Sequence, residues 1–282
     1  MKRTLLACAL GSLLCCGPAA ALPGVDEPAT VHVNAMRNPE IKKYKAILAG
    51  LDSFDKHHAL APNVPELRFR IQPRRGAGLP EQATVRLEGR HDFVLPLAID
   101  AANRFTVPRS EAALDADGEL VLNQKRRLYQ IMPEVRTPGL PDNVRRLGDL
   151  RLECKVLIDI TKEEMPLFWV LTLNGVLMTR DWCSFFSERE HNAPFGFKAG
   201  APVLAAVLHD GNRSKSLETE NDEFRVGLGD AEWSDDALVE LTLGAPVAKA
   251  AALTTAAPAA APASAPASAA TGTAAGTPRT AP

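Results

Sequence analysis

The sequence has little cysteine, no marked excess of either charge, and, past its first residues, no apolar run long enough to cross a bilayer. Of its 5 cysteines, Cys8, Cys15 and Cys16 fall in the opening stretch, which leaves Cys154 and Cys183 for the body of the chain. No second pair is present to complete a tetrahedral thiolate site, so zinc held by sulfur is excluded. The formal charge of -2 becomes -4 when Lys2 and Arg3 are set aside, which argues against nucleic acid or an anionic membrane as the main partner. The longest apolar stretch of the body, Leu167 to Met178, is interrupted by Asn174-Gly175 and is well short of the ~20 residues a membrane-spanning helix needs. It reads as a buried helix or hairpin.

Catalytic signatures are equally scarce. Ser53-Phe54-Asp55-Lys56 has the letters of an S-x-x-K nucleophile motif, but no K-T-G follows it. Glu188-Arg189-Glu190-His191 lacks the paired histidines of H-E-x-x-H. Asp115-Ala116-Asp117-Gly118-Glu119 could offer hard oxygen ligands to calcium, yet Ala113 stands where the full loop pattern needs an acid, and a plain turn is the better reading. His91 and His209 fall in loops without a nucleophile nearby in sequence, and His57-His58 suits the closing turn of a helix. No residue is assigned a catalytic, cofactor-binding or metal-ligating role, and no cofactor is expected.

What is present begins with an address. Lys2 and Arg3 precede the apolar run Thr4 to Cys16, and Gly17-Pro18-Ala19-Ala20-Ala21 offers small residues for cleavage after Ala21. This is the pattern of a secretory signal. The expected location is therefore periplasmic or extracellular. A lipidated cysteine fits less well, because Cys8 lacks a preceding apolar run and Cys16 follows Cys15 where a small residue is required. In an oxidising compartment Cys154 and Cys183 are expected to pair. Closing a loop of roughly 30 residues contributes about 3 to 4 kcal/mol by the chain-entropy argument.

With 46% hydrophobic and 23% charged residues over 282 positions, the chain can build one large or two small globular domains. Asn38-Pro39-Glu40 reads as a helix start, followed by Ile41, Tyr44, Ile47, Leu48, Leu51 and Phe54 at helical spacing. Pro62 and Pro65 end that helix. Leu67 to Ile71, Val85 to Glu88, Phe93 to Leu97, Arg104 to Val107 and Glu119 to Leu122 are short strands separated by turn formers. Leu150-Arg151-Leu152-Glu153-Cys154-Lys155-Val156 alternates cleanly and reads as another strand, with Cys154 on its inner face. Thr161 to Glu164 then reads as a helix start.

The chain also repeats itself. Setting Phe105 on Phe224 places Leu114 on Trp233, Asp117 on Asp236, Leu120 on Val239 and Leu122 on Leu241 without a gap, and Val85 to Gly89 matches Ala206 to Gly211 after a short loop adjustment. Such self-similarity indicates a duplicated unit of strands. Charge is uneven between the copies: Arg68, Arg70, Arg74 and Arg75 cluster in the first, while Glu218 to Glu240 carries nine acids against Arg225 alone in the second. Two solvated faces explain this, and a basic module meeting an acidic one is the alternative.

The run Pro96-Leu97-Ala98-Ile99-Asp100, then Asn103-Arg104-Phe105-Thr106-Val107-Pro108, resembles the D-x-x-G-x-F-x-L-P hairpin of carboxypeptidase-regulatory-like, transthyretin-like sandwich modules, with Asn103 in place of Gly. Asn is the next best residue for a left-handed turn position. The resemblance covers Pro65 to Asn123 and, more faintly, Phe195 to Leu243, and it implies an accessory, non-catalytic sandwich. The whole chain also resembles uncharacterised exported proteins of Gram-negative bacteria. The expected fold is mainly β, with two related antiparallel β-sandwich modules, an N-terminal amphipathic helix and a helical insert between them. The expected segments are a signal peptide at 1–21, an N-terminal helical segment at 22–63, a first module at 64–144, a second at 145–244 and a disordered Ala/Pro-rich tail at 245–282. The function so implied is non-catalytic binding or structural work in the bacterial envelope, on an envelope component, another protein or a second copy. An envelope hydrolase whose site is assembled from distant residues is the alternative.

Overall fold

The structure, a computed structural model, describes residues 38–74 and 77–245. The expected signal sequence, Arg75 and the tail from 246 onward lie outside the described residues. Strand β1 (Pro39–Lys43) runs straight into helix α1 (Tyr44–Lys56); β2 (Arg68–Pro73), β3 (Val85–Glu88), β4 (Val94–Leu97), β5 (Arg104–Phe105), helix α2 (Glu111–Asp115), β6 (Glu119–Lys125) and β7 (Tyr129–Glu134) follow. Then come β8 (Val144–Arg146), α3 (Leu147–Glu164), α4 (Leu167–Val176), α5 (Trp182–Phe185) and α6 (Glu188–His191). The chain closes with β9 (Phe195–Lys198), β10 (Val203–Asp210), β11 (Arg213–Leu217), β12 (Thr219–Glu220), β13 (Glu223–Val226) and β14 (Leu238–Leu243). Every strand pairing is antiparallel. The fold is mainly β, and the strands read from alternation at β2, β3, β4, β5 and β6 are present, while β7 was not anticipated.

Asn38 does not cap a helix. It sits in the left-handed region (φ 56°), and Pro39–Lys43 is extended along β6 with Ile41 opposite Val121. The open edge of β6 supplies ladder partners that a helical start would forgo. Helix α1 therefore begins at Tyr44, whose N–H donates to Gly118 O at 2.8 Å. The Tyr44 hydroxyl donates to Pro108 O (2.8 Å) and accepts from Ser110 N (2.7 Å), so this buried polar group is satisfied from both sides.

The largest correction falls on Leu150 to Val156, which is not a strand but the middle of α3. All of the alternating residues are buried nonetheless, because α3 lies between two hydrophobic clusters. Leu150 and Cys154, one turn apart, join Leu147 on the side that packs with Phe197, Phe224 and Leu241. Leu152, Val156 and Ile160, again a turn apart, point to the side that packs with Phe69, Leu87 and Phe105. A helix buried on opposite faces produces the every-other-residue pattern that a half-buried strand would show. Thr161 to Glu164 accordingly ends α3 rather than starting a helix. On its first-cluster side α3 crosses α1 closely: a Cβ on Gly50 would come within 2.7 Å of Ile160 Cγ1. The pairs Lys42–Glu164 (3.0 Å) and Lys45–Glu163 (2.6 Å) flank that crossing.

Strand order recurs. One sheet runs β1-β6-β3-β4 and another β8-β14-β10-β11. Val85 faces Leu122 and Leu87 faces Leu120 in the first; Ala206 faces Leu241 and Leu208 faces Val239 in the second. These are the pairs that the internal alignment superposes. Leu147 N–H donates to Ala237 O at 2.8 Å, as Tyr44 N–H does to Gly118 O. One aligned pair departs: Trp233 is buried, with the Arg213 guanidinium 4.8 Å above its ring, whereas Leu114 is 48% exposed. In the first half this turn is wound into α2, capped by the Ser110 hydroxyl, which accepts from Ala113 N (3.1 Å), and the inward position passes to Ala113.

The hairpin before β5 is built as its residues suggest. Asp100 Oδ1 accepts from Ala102 N and Arg104 N, both at 2.8 Å, and Asn103 takes the left-handed conformation (φ 59°).

Candidate functional site

Helix α4 is the least expected element. Its apolar run is helical through Asn174-Gly175, but none of its residues is buried. Leu167 (71%), Phe168 (70%), Trp169 (54%), Leu171 (60%), Val176 (71%) and Met178 (93%) stand exposed. Only a narrow stripe, Val170, Leu173 and Asn174 with Leu177 just beyond, is half-buried against the body of the protein. Burying the helix would have required a second layer over its outer arc, and the chain places none there among the described residues.

The helix is held in this position from its far end. Cys183 is bonded to Cys154 of α3, with Cα atoms 6.1 Å apart, so the expected disulfide forms. Trp182 Nε1 donates to Asn174 Oδ1 (2.8 Å), Lys162 Nζ donates to Arg180 O (2.8 Å), and Lys155 pairs with Asp181 (2.8 Å). Lys162 also lies 5.1 Å from the centre of the Trp182 ring. These contacts lie at and just beyond the C-terminal end of α4, whose apolar arc faces outward.

A second feature is a groove of about 280 Å³ where loops around β2 and β5 approach those around β9 and β10. Arg70, Arg104, Arg136, Arg145 and Lys198 line it, and a neighbouring hollow of about 250 Å³ shares Arg104 and Arg136. Beneath it, Glu134 receives both Arg70 (3.3 Å) and Arg104 (2.5 Å). Burial pushes the Glu134 carboxyl up, but Arg70 and Arg104 outweigh it and hold the group below the usual carboxylate range. Arg145 turns to Glu153 (2.8 Å) and to Val135 O (3.1 Å). Burial raises the Glu153 pKa in spite of Arg145 and the Val135 N–H, which donates to it at 2.9 Å. Lys198 pairs with Asp222 (3.2 Å), and Arg70 Nη2 donates to Lys198 O (3.3 Å) across the groove.

The residues singled out by motif do not converge on a site. Ser53 is buried, not on the wet face of α1, and its Oγ has no hydrogen-bond partner among the described residues. His57 follows α1, where burial and then Lys155 and Lys56 lower its pKa, and His58 Nε2 lies 2.7 Å from Val64 O. Asp117 is a left-handed turn residue (φ 55°), exposed like Asp115. Among the described residues no three His, Cys, Asp or Glu side chains are placed to hold a metal ion. His91 is exposed, His209 lies 3.8 Å from Glu240, and His191 stacks on Phe185 with ring centres 4.4 Å apart.

Of the acidic stretch, Asp235 and Asp236 pair with Arg151 and Arg146 (2.6 and 2.7 Å), and of the basic stretch Arg68 pairs with Glu66 (3.3 Å), while Arg70 and Asp222 line one groove. The groove arginines come from separate segments and carry no local signature, and only Arg70 belonged to the basic stretch. Comparison with protein-family models, with curated proteins and with solved structures finds no match to this chain.

Proposed function

We propose that this is an exported, non-catalytic binding or structural protein of the bacterial envelope, built from two related antiparallel β-sandwich modules of the carboxypeptidase-regulatory-like kind. The observation that carries the reading is the clamped, outward-facing α4. Aromatic side chains alone account for about 150–250 Å² each when covered. Phe168 and Trp169 together with Leu167, Leu171, Val176 and Met178 therefore offer roughly the 800 Å² per partner of a standard interface. Monomers rarely leave a contiguous apolar patch above a few hundred Å².

The rim of α4 favours a second copy of the chain as occupant. Arg180, past the C-terminal end, forms no ion pair among the described residues, while Glu163 and Glu164 precede the N-terminal end, held by Lys45 and Lys42. An antiparallel pairing of two α4 helices about a two-fold axis brings each Arg180 toward the acidic end of the other copy. A lipid surface is less suited, because Asp159, Glu163, Glu164 and Asp181 offset Lys162 and Arg180 and leave no net cationic pull. The recurrence of strand order and the Asp100–Asn103 turn support the two-module reading. Sedimentation velocity of the mature chain beside the L171E/V176E double variant tests the proposal. A dimer for the wild type and a folded monomer for the variant support it; a wild-type monomer that floats with zwitterionic vesicles points to lipid and refutes the dimer.

A further inference from the structure

We propose that the arginine-lined groove is a binding site for a small multivalent oxyanion bearing phosphate or carboxylate groups. The argument begins with the distribution of charge on its walls. Arg70, Arg104, Arg136, Arg145 and Lys198 face Asp142 and Asp222 in the groove and Glu134 in the adjoining hollow. Arg70 and Arg104 share Glu134. Among the described residues Arg136 has only Pro141 O (2.5 Å) and an Asp142 carboxylate at 3.8 Å whose side chain is 97% exposed. Asp222 is taken by Lys198, and Glu153 by Arg145 at 2.8 Å. The walls therefore hold more cations than neighbouring carboxylates can satisfy.

The side chains on the walls are of the type that binds such groups. Arg70 and Arg145 both line the groove, although the Nε of each is itself enclosed and has no acceptor among the described residues. Guanidinium is a rigid fork of donors that matches carboxylate and phosphate oxygens in pairs. Burial, and after it the nearby Arg145, depress the Arg136 pKa, and an anion beside it would act in the opposite sense. The loop Ala199-Gly200-Ala201 forms the opposite wall, with Gly200 in the left-handed region (φ 83°) close to Arg70. A volume of about 280 Å³ is at the lower end of ligand pockets and fits a molecule of a few charged groups, not a polymer. This site is independent of α4 and of the dimer.

The test is differential scanning fluorimetry of the mature protein at fixed ionic strength, with inorganic pyrophosphate in one series and citrate in another. A saturable rise in melting temperature with either probe is expected, and which probe acts first tells phosphate from carboxylate as the favoured chemistry. The R136Q/K198Q double variant should bind about tenfold more weakly or worse, since it removes two charge-assisted contacts. If that variant does not fold, protection of Arg136 from phenylglyoxal in the wild type, read by mass spectrometry, replaces it. Absence of a saturable shift with both probes, an equal shift in the variant, or Arg136 modified at the same rate with and without probe would overturn the proposal.

Discussion

Phe105 and Phe224 occupy the same place in their respective sheets: Phe105 lies opposite Phe69 and Phe224 opposite Phe197, with ring centres 5.9 and 5.8 Å apart and the same interplanar angle of 25°. Each pair lies at the heart of a different hydrophobic cluster. The halves thus use one packing device twice, which supports reading the repeat as a duplication rather than a coincidence of letters.

Truncating either ring should be costly and the costs should add. Phe105→Ala and Phe224→Ala are each expected to lose about 3 to 5 kcal/mol, the range for buried aromatics. Because the two rings belong to separate clusters, the double variant should show the sum within about 0.5 kcal/mol. Equilibrium denaturation by urea checks both numbers, and a double variant no worse than the poorer single would contradict separate cores.

What the letters revealed and what they hid divides along physical lines. Strand alternation in Val85 to Glu88 was legible because one face of β3 is wet. The same alternation misled at Leu150 to Val156, since a helix pressed between two clusters has two buried faces and borrows the period of a strand. Pairing of Cys154 with Cys183 followed from compartment and number alone. Hydrophobicity marked Leu167 to Met178, yet burial depends on what else folds over a segment, and that is a tertiary fact. The groove arginines, at positions 70, 104, 136 and 145, meet only because β2, β5, β7 and β8 bring their ends together.

Removing the disulfide should loosen α4 before it unfolds the protein. Cys154→Ser with Cys183→Ser is expected to cost about 3 kcal/mol by the loop-closure argument. Since Trp182, Lys155 and Lys162 hold the same segment, the fold should survive. Limited proteolysis should then cut first between Met165 and Trp182, and a variant that is cut first elsewhere would show that the bond does not serve to hold α4.

The glycines within α1 and α4 should respond in opposite senses to alanine. A methyl added at Gly175 would meet nothing within 4 Å, so Gly175→Ala should stabilise by about 0.5 to 1 kcal/mol through helix propensity. A methyl on Gly50 would meet Ile160 Cγ1 and Cδ1 at 2.7 and 2.8 Å, so Gly50→Ala should destabilise and Gly50→Leu should cost more, about 1 to 3 kcal/mol as overpacking. Thermal melts of the three variants decide. A stabilising Gly50→Leu would mean that α1 and α3 do not cross this closely.

Glu134 and Glu153 should impose opposite dependences on pH. The Glu134 pKa is lowered in the folded protein, so its contribution is present above the unfolded value of about 4.3 and is lost as pH falls through the folded pKa. The Glu153 pKa is raised by burial, so its contribution is complete below about 4.3 and is lost as pH rises through the folded pKa. Glu134→Gln should therefore destabilise at pH 7 by about 3 to 5 kcal/mol, because it strips Arg70 and Arg104 of their shared carboxylate. That deficit should shrink only as pH falls through the lowered Glu134 pKa, where the wild type loses the same charge. Glu153→Gln keeps an acceptor for the Val135 N–H, now 2.9 Å from the carboxylate, and removes a charge whose burial is unfavourable, so its penalty at pH 7 should be the smaller one. Urea titrations of both variants and the wild type at pH 2.5, 3.5, 5 and 7 provide the comparison. A Glu134→Gln variant as stable as the wild type at pH 7 would show that Glu134 is not ionised against its arginines.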